Sequence, residues 1–114
     1  MKKSKKNLGD NIFKNNSSWS FGGNVFKNFE KHINKSVPLY STTHELYLNL
    51  SDFFIQNNSH ILDIGCSTGN FINSIRERHA NNEKKIKYVG IDNTKEIINF
   101  CKKRYKKKNL SFLY

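Results

Sequence analysis

The chain has 114 residues, 36% of them hydrophobic, enough for one domain with a modest core. Lys and Arg number 20 against 9 Asp and Glu, a formal net charge of +11. No apolar run approaches the ~20 residues that cross a bilayer, and no apolar stretch follows the basic start to make a secretory signal.

Residues 1–18 are Lys, Asn and Ser with little apolar content, and read as a basic disordered tail. The cluster Lys2, Lys3, Lys5 and Lys6 leaves an RNA-contacting arm as the alternative. Residues 19–59 read as a helical cap. Val25, Phe26, Phe29 and Ile33 recur at helical spacing from Asn24 to about Lys35. Gly22 and Gly23 precede that helix and Pro38 stops it, because the residue before proline avoids helical geometry. A second helix is expected from Thr42 to Gln56, opened by the capping-box pattern Thr42-x-x-Glu45. Leu46, Leu50, Phe53 and Phe54 share one of its faces, expected to pack on a sheet and close one side of a site.

From His60 the pattern changes. His60-Ile61-Leu62-Asp63-Ile64 reads as a buried strand, Gly65 and Gly69 bracket a tight loop, and a helix opens at Asn70 and ends near His79. Glycine there permits positive φ and a close backbone approach to a ligand. Free N–H groups at the start of that helix would point the same way. After a polar loop, Ala80 to Lys85, a second strand runs Ile86 to Ile91 and ends in Asp92. Thr94 caps a helix to about Lys107, with Ile97, Ile98, Cys101 and Tyr105 inside and Lys102, Lys103, Arg104, Lys106 and Lys107 outside. Leu110 to Tyr114 starts a third strand.

Strand, glycine loop, helix, strand, acid is the plan of a nucleotide-binding α/β half. A dinucleotide fingerprint would need glycine at 65, 67 and 70, and the chain has Gly65, Ser67 and Asn70. Asp63 would also meet a pyrophosphate with negative charge. A carboxylate there suits a ligand with a cationic end, such as S-adenosylmethionine with its ammonium and sulfonium. Asp63 is read as the ammonium contact, with loop capping the alternative. Asp92, about 20 residues past the loop, is read as the ribose acceptor, with capping of the helix at Thr94 the alternative. Cys66 is a small filler in the loop rather than a nucleophile.

Cys66 and Cys101 form neither C-x-x-C nor a zinc pattern, which points to free thiols in a reducing cytoplasm and to no metal site. His32, His44, His60 and His79 do not cluster and read as packing or surface residues.

Gly65-Cys66-Ser67-x-Gly69, Ile91-Asp92-Asn93 and Ile97-Ile98-x-x-Cys101 together resemble class I S-adenosylmethionine-dependent methyltransferases. More narrowly, with Trp19-x-Phe21 and Ser36-Val37-Pro38-Leu39-Tyr40, they resemble the carboxy-S-adenosyl-L-methionine synthase family of tRNA wobble-uridine modification. The resemblance implies an α/β, Rossmann-like fold, here its N-terminal half (β-α-β-α-β, residues 60–114) preceded by two helices. It implies S-adenosylmethionine as cofactor, Tyr40 near the cofactor's distal group, Gly65, Cys66, Ser67, Gly69 and Asn93 around it, prephenate as second substrate and a link to tRNA. The alternatives are a methyltransferase for another substrate, and a non-catalytic or RNA-associated module. No membrane partner is expected. With strand order 3-2-1, the first strand is an edge whose Ile61, Leu62 and Ile64 lack cover. The chain is therefore expected to be part of a larger enzyme, completed by another chain, or self-associating.

Overall fold

The computed structural model describes residues 6–7, 13–14, 28–81 and 85–114. Two short strands, β1 (Lys6–Asn7) and β2 (Phe13–Lys14), pair antiparallel. The rest of the expected tail, and the Trp19-x-Phe21 segment, lie outside the described residues.

Helix α1 (Phe29–Ser36) stops where Val37 turns extended ahead of Pro38, as the proline requires. Its expected first residues, 24–27, lie outside the described set. Helix α2 (Tyr40–Phe54) starts two residues earlier than the capping box suggested. Leu39 takes a left-handed φ of 59° and delivers the chain straight into Tyr40, so Thr42 sits inside the first turn and no side chain caps the helix.

The apolar face expected to pack on the sheet also needs correction. Leu46, Leu50, Phe53 and Phe54 are all exposed, Phe53 at 80% and Phe54 at 76%. At 3.6 residues per turn they lie on the far side of α2 from Leu48, Ser51 and Ile55, which face inward. A polar clamp fixes that rotation. His79 Nε2 lies 2.9 Å from Ser51 Oγ, and Arg78 donates to both Asp52 oxygens at 2.8 and 2.6 Å. Because Ser51 Oγ already donates to Leu48 O, the His79 ring nitrogen is the donor toward it.

The remaining elements are β3 (His60–Ile64), α3 (Asn70–Arg78), β4 (Lys87–Ile91), α4 (Lys95–Arg104) and β5 (Leu110–Leu113). The expected β-α-β-α-β run is present, in the order β3-β4-β5, all parallel, with β3 at the edge. Helix α4 ends three residues sooner than expected, where Tyr105 leaves helical geometry and its ring stacks on Phe112.

Register sorts the sheet into two faces. Ile61, Tyr88, Gly90, Leu110 and Phe112 share the face that α3 and α4 cover with Ile72, Ile75, Ile97, Ile98 and Cys101. Leu62, Ile64, Val89, Ile91 and Leu113 share the other, where Leu62 is 54% and Ile64 79% exposed. Two right-handed crossovers stepping the same way put both helices on one side. The expected lack of cover on Leu62 and Ile64 is observed, whereas Ile61 packs against the core. A parallel sheet ordinarily has both faces covered.

Candidate functional site

The loop after β3 is pinned to the end of β4. Gly65 N and Cys66 N both donate to Ile91 O, at 2.8 and 2.9 Å, and Gly69 N donates to Cys66 O at 2.9 Å. Gly65 and Gly69 take φ of 79° and 70°, and Ser67 between them takes 47°. The two glycines serve different ends. A Cβ on Gly65 would meet nothing within 4 Å, so its Cα faces open space. A Cβ on Gly69 would come within 2.8 Å of the Phe112 ring and 3.1 Å of Tyr105. Gly69 therefore seats the loop on β5.

Asp92 joins loop to helix. Its Oδ2 accepts from Ser67 N at 3.0 Å and its Oδ1 from Thr94 N at 2.9 Å. Thr94 holds the N-cap position, as expected, but makes no side-chain cap bond; Asp92 accepts from the N–H of Thr94 itself, ahead of the first turn. Helix α1 crosses above. Glu30 Oε1 lies 3.5 Å from Thr68 Oγ1, its donor, and 3.6 Å from Arg104 Nη1.

Between these pieces lies a cavity of about 260 Å³, lined by Phe29, Gly65, Ser67, Asp92, Asn93, Thr94 and Ile97. Four of the expected site residues line it: Gly65, Ser67, Asp92 and Asn93. Cys66 and Gly69 support the loop from behind, and Asp63 and Tyr40 stand outside the lining. The lining turn belongs to α4, through Thr94 and Ile97, and not to the start of α3. Gly69 packs so closely on Phe112 that α3 begins behind the loop. Phe29 and Ile97 read in the sequence only as apolar helix positions. What brings Phe29 to the cavity is the crossing of α1, which leaves no local pattern.

Asp63, at the end of β3, is half-buried. Burial first, then the charge of Asp92, pushes its carboxyl above the usual range. No cationic side chain pairs with it among the described residues. Burial likewise pushes the Tyr40 phenol up, helped by Glu30 and then Asp63. The Tyr40 and His44 rings meet tilted with centroids 4.2 Å apart, and His44 and Phe71 likewise at 4.6 Å, so an aromatic row ties α2 to α3 beside the loop. The Cys66 and Cys101 thiols both donate to Ser67 O, at 3.9 and 3.2 Å, and the neighbouring Cys101 thiol together with burial pushes Cys66 well above the ordinary thiol range. A thiol so held is a packing group and a poor nucleophile. Among the described residues no cluster of His, Cys, Asp and Glu could hold a metal, and no helix is long and apolar enough to cross a membrane.

Residues 55–113 match the family described as Methyltransferase domain. The chain is 38% identical over 80 residues to a carboxy-S-adenosyl-L-methionine synthase of Staphylococcus epidermidis, covering 67% of this chain and 32% of that protein. It is 34% identical over 99 residues to the protein of the same name from Campylobacter jejuni subsp. doylei, covering 85% and 40%. The chain thus spans about a third to two-fifths of the length of the curated relatives it matches. Among solved structures, an S-adenosylmethionine-dependent methyltransferase from Aquifex aeolicus superposes with a TM-score of 0.54 at 20% identity, over 77% of this chain and 45% of that one. That likeness concerns the fold, which is Rossmann-like. With the domain match covering more than half of its length, the chain belongs to the class I S-adenosylmethionine-dependent methyltransferase family.

Proposed function

We propose that the chain supplies the adenosyl cradle of an S-adenosylmethionine-using transferase. The observation that carries this reading is the charge of the cradle. In a chain of net charge +11, the cavity is lined by Asp92, with Asp63 nearby, and among the described residues by no Lys or Arg. Such a site disfavours a pyrophosphate and favours a ligand with cationic groups. When bound, S-adenosylmethionine supplies an already activated sulfonium for group transfer.

The chain's own residues then have distinct tasks. Gly65 lets the backbone approach the ligand. Asp92 spends one lone pair of each oxygen on Ser67 N and Thr94 N, and a carboxylate has about four to offer, so ribose hydroxyls can donate to the rest. Asp63 faces the ammonium end. Phe29 and Ile97 offer apolar walls to the adenine ring, Asn93 a polar one, and Tyr40 stands toward the distal group.

The finer reading is that of the relatives' name, a carboxy-S-adenosyl-L-methionine synthase. Prephenate as second substrate and service to tRNA wobble-uridine modification come from the family resemblance, and a cytoplasmic setting from the two free cysteines. The uncovered sheet face and the relatives' greater length support a further element of the proposal: turnover needs sequence that covers that face, in the same protein or in a complementing chain.

Calorimetry tests the cradle. S-adenosylhomocysteine and NAD are titrated into the chain, alone and mixed with the C-terminal portion of the Staphylococcus epidermidis relative. S-adenosylhomocysteine is expected to bind and NAD not. A hydrogen bond to a charged group is worth roughly 1.5–3 kcal/mol, so Asp92→Ala is expected to weaken binding about tenfold or more. Asp92→Asn, which keeps one acceptor oxygen, is expected to lose less. Equal or tighter binding of NAD overturns the reading.

A further inference from the structure

At the opposite end of the sheet, the amino ends of the three parallel strands enclose a groove of about 630 Å³ lined by Asn58, His60, Lys85, Lys87, Lys108 and Asn109, with Ile86 at its base. We propose that this groove binds the phosphate backbone of a nucleic acid. The proposal is independent of the adenosyl cradle. The length of β3, five residues at about 3.3 Å each, separates the two sites.

The rim that carries the lysines is held in place by the fold. Lys85 N donates to Asn57 Oδ1 at 2.9 Å, and Lys87 N to Ser59 O at 3.1 Å. Asn109 Nδ2 donates to Ile86 O at 3.3 Å, and Tyr88 N to Asn109 O at 2.9 Å. The three chain segments entering the sheet are thereby stitched to one another. Lys87 sits directly opposite His60 in the ladder. Lys85, Lys87 and Lys108 are exposed, and among the described residues no carboxylate lines the groove or pairs with them.

Other basic residues of this region have a local reason to be there. Lys102, Lys103 and Arg104 occupy the last turn of α4, where cations complement the negative end of the helix. That reason does not reach Lys85, Lys87 or Lys108, which lie outside every helix. Lys106 and Lys107, both exposed, stand between α4 and Lys108 in the chain. Several cations on a fixed backbone rim, without a carboxylate partner among the described residues, suit a ligand with repeated negative charges, whose bound counterions they displace. A membrane surface fits less well, because Ile86, the only apolar lining residue among the described residues, is buried and cannot insert.

The test is fluorescence anisotropy across a salt series, with labelled unfractionated tRNA in one arm and a short DNA duplex in the other. The variants are the triple Lys85→Gln/Lys87→Gln/Lys108→Gln and the corresponding triple to Arg. Each phosphate contact contributes about 0.7–0.9 to the slope of log K against log salt. The Gln triple is expected to lower that slope by roughly 2 and to weaken binding at low salt about tenfold or more. The Arg triple is expected to keep both. Preference for one arm identifies which nucleic acid is the source of the phosphates. A measurement on the unaltered chain guards against misfolded variants. Bound tRNA or DNA is expected to protect Lys85, Lys87 and Lys108 from acetylation, read by mass spectrometry, more than Lys31 on α1 or Lys95 at the other pole. Parental slope and affinity in the Gln triple overturns the proposal. So does protection confined to other lysines, or binding of the unaltered chain to phosphatidylserine vesicles but to neither nucleic acid.

Discussion

Gly65 and Gly69 look alike in the sequence and in φ, yet their surroundings set them apart. Gly65→Ala adds a methyl to open space, so its penalty is the left-handed backbone alone, about 1–2 kcal/mol. Gly69→Ala adds overpacking against Phe112, about 1–3 kcal/mol more. Thermal melts of the two variants are expected to separate them, with Gly69→Ala the less stable and Gly65→Ala folded but weakened for S-adenosylhomocysteine. Asp63 gives a pH dependence with a definite sign. Its folded carboxyl is raised, so below that value it is protonated and offers no charge to a cation. Affinity for S-adenosylmethionine is expected to climb as pH rises through the raised value and then level off. Calorimetry on Asp63→Asn is expected to show that climb abolished.

Among the elements, α2 shows how polar contacts outweigh an apolar stripe. Its more hydrophobic side, with Leu46, Leu50, Phe53 and Phe54, faces out, because Ser51 and Asp52 are held by His79 and Arg78 at the end of α3. Ser51→Ala removes the buried bond to His79 and is expected to destabilise by roughly 1–3 kcal/mol. In a domain this size that lowers the melting temperature by about 4–8 °C per kcal/mol. Lys31→Ala, on the exposed side of α1, is the control and is expected to melt like the parent.

Across the whole molecule, one sheet face carries Leu62, Ile64 and Leu113 without cover among the described residues. Apolar patches of this kind drive association. The 114-residue chain is expected to self-associate on gel filtration, and Leu62→Lys with Ile64→Lys to reduce that association. Incubated alone with S-adenosylmethionine, prephenate and tRNA, it is expected to give neither carboxy-S-adenosylmethionine nor methylated product by mass spectrometry. A cradle open on one side neither excludes water nor fixes a second substrate in line. A monodisperse monomer turning over at enzyme-like rates would sink this expectation.

The sequence alone determined what local chemistry determines. Apolar runs bounded by glycine and acid marked β3 and β4, Pro38 marked the end of α1, and the alternation of strand and helix marked a parallel sheet with β3 at its edge. The missing fingerprint glycines and the acid at 63 pointed away from a pyrophosphate. Tertiary structure decided the rest, because those features depend on which distant segments meet. Asp92 became a bridge between Ser67 and Thr94 only when the loop folded back on β4. Phe29 became a cavity wall only when α1 crossed the loop. The rotation of α2 waited on partners 26 to 28 residues away, and the basic groove on three strand ends brought side by side by the sheet.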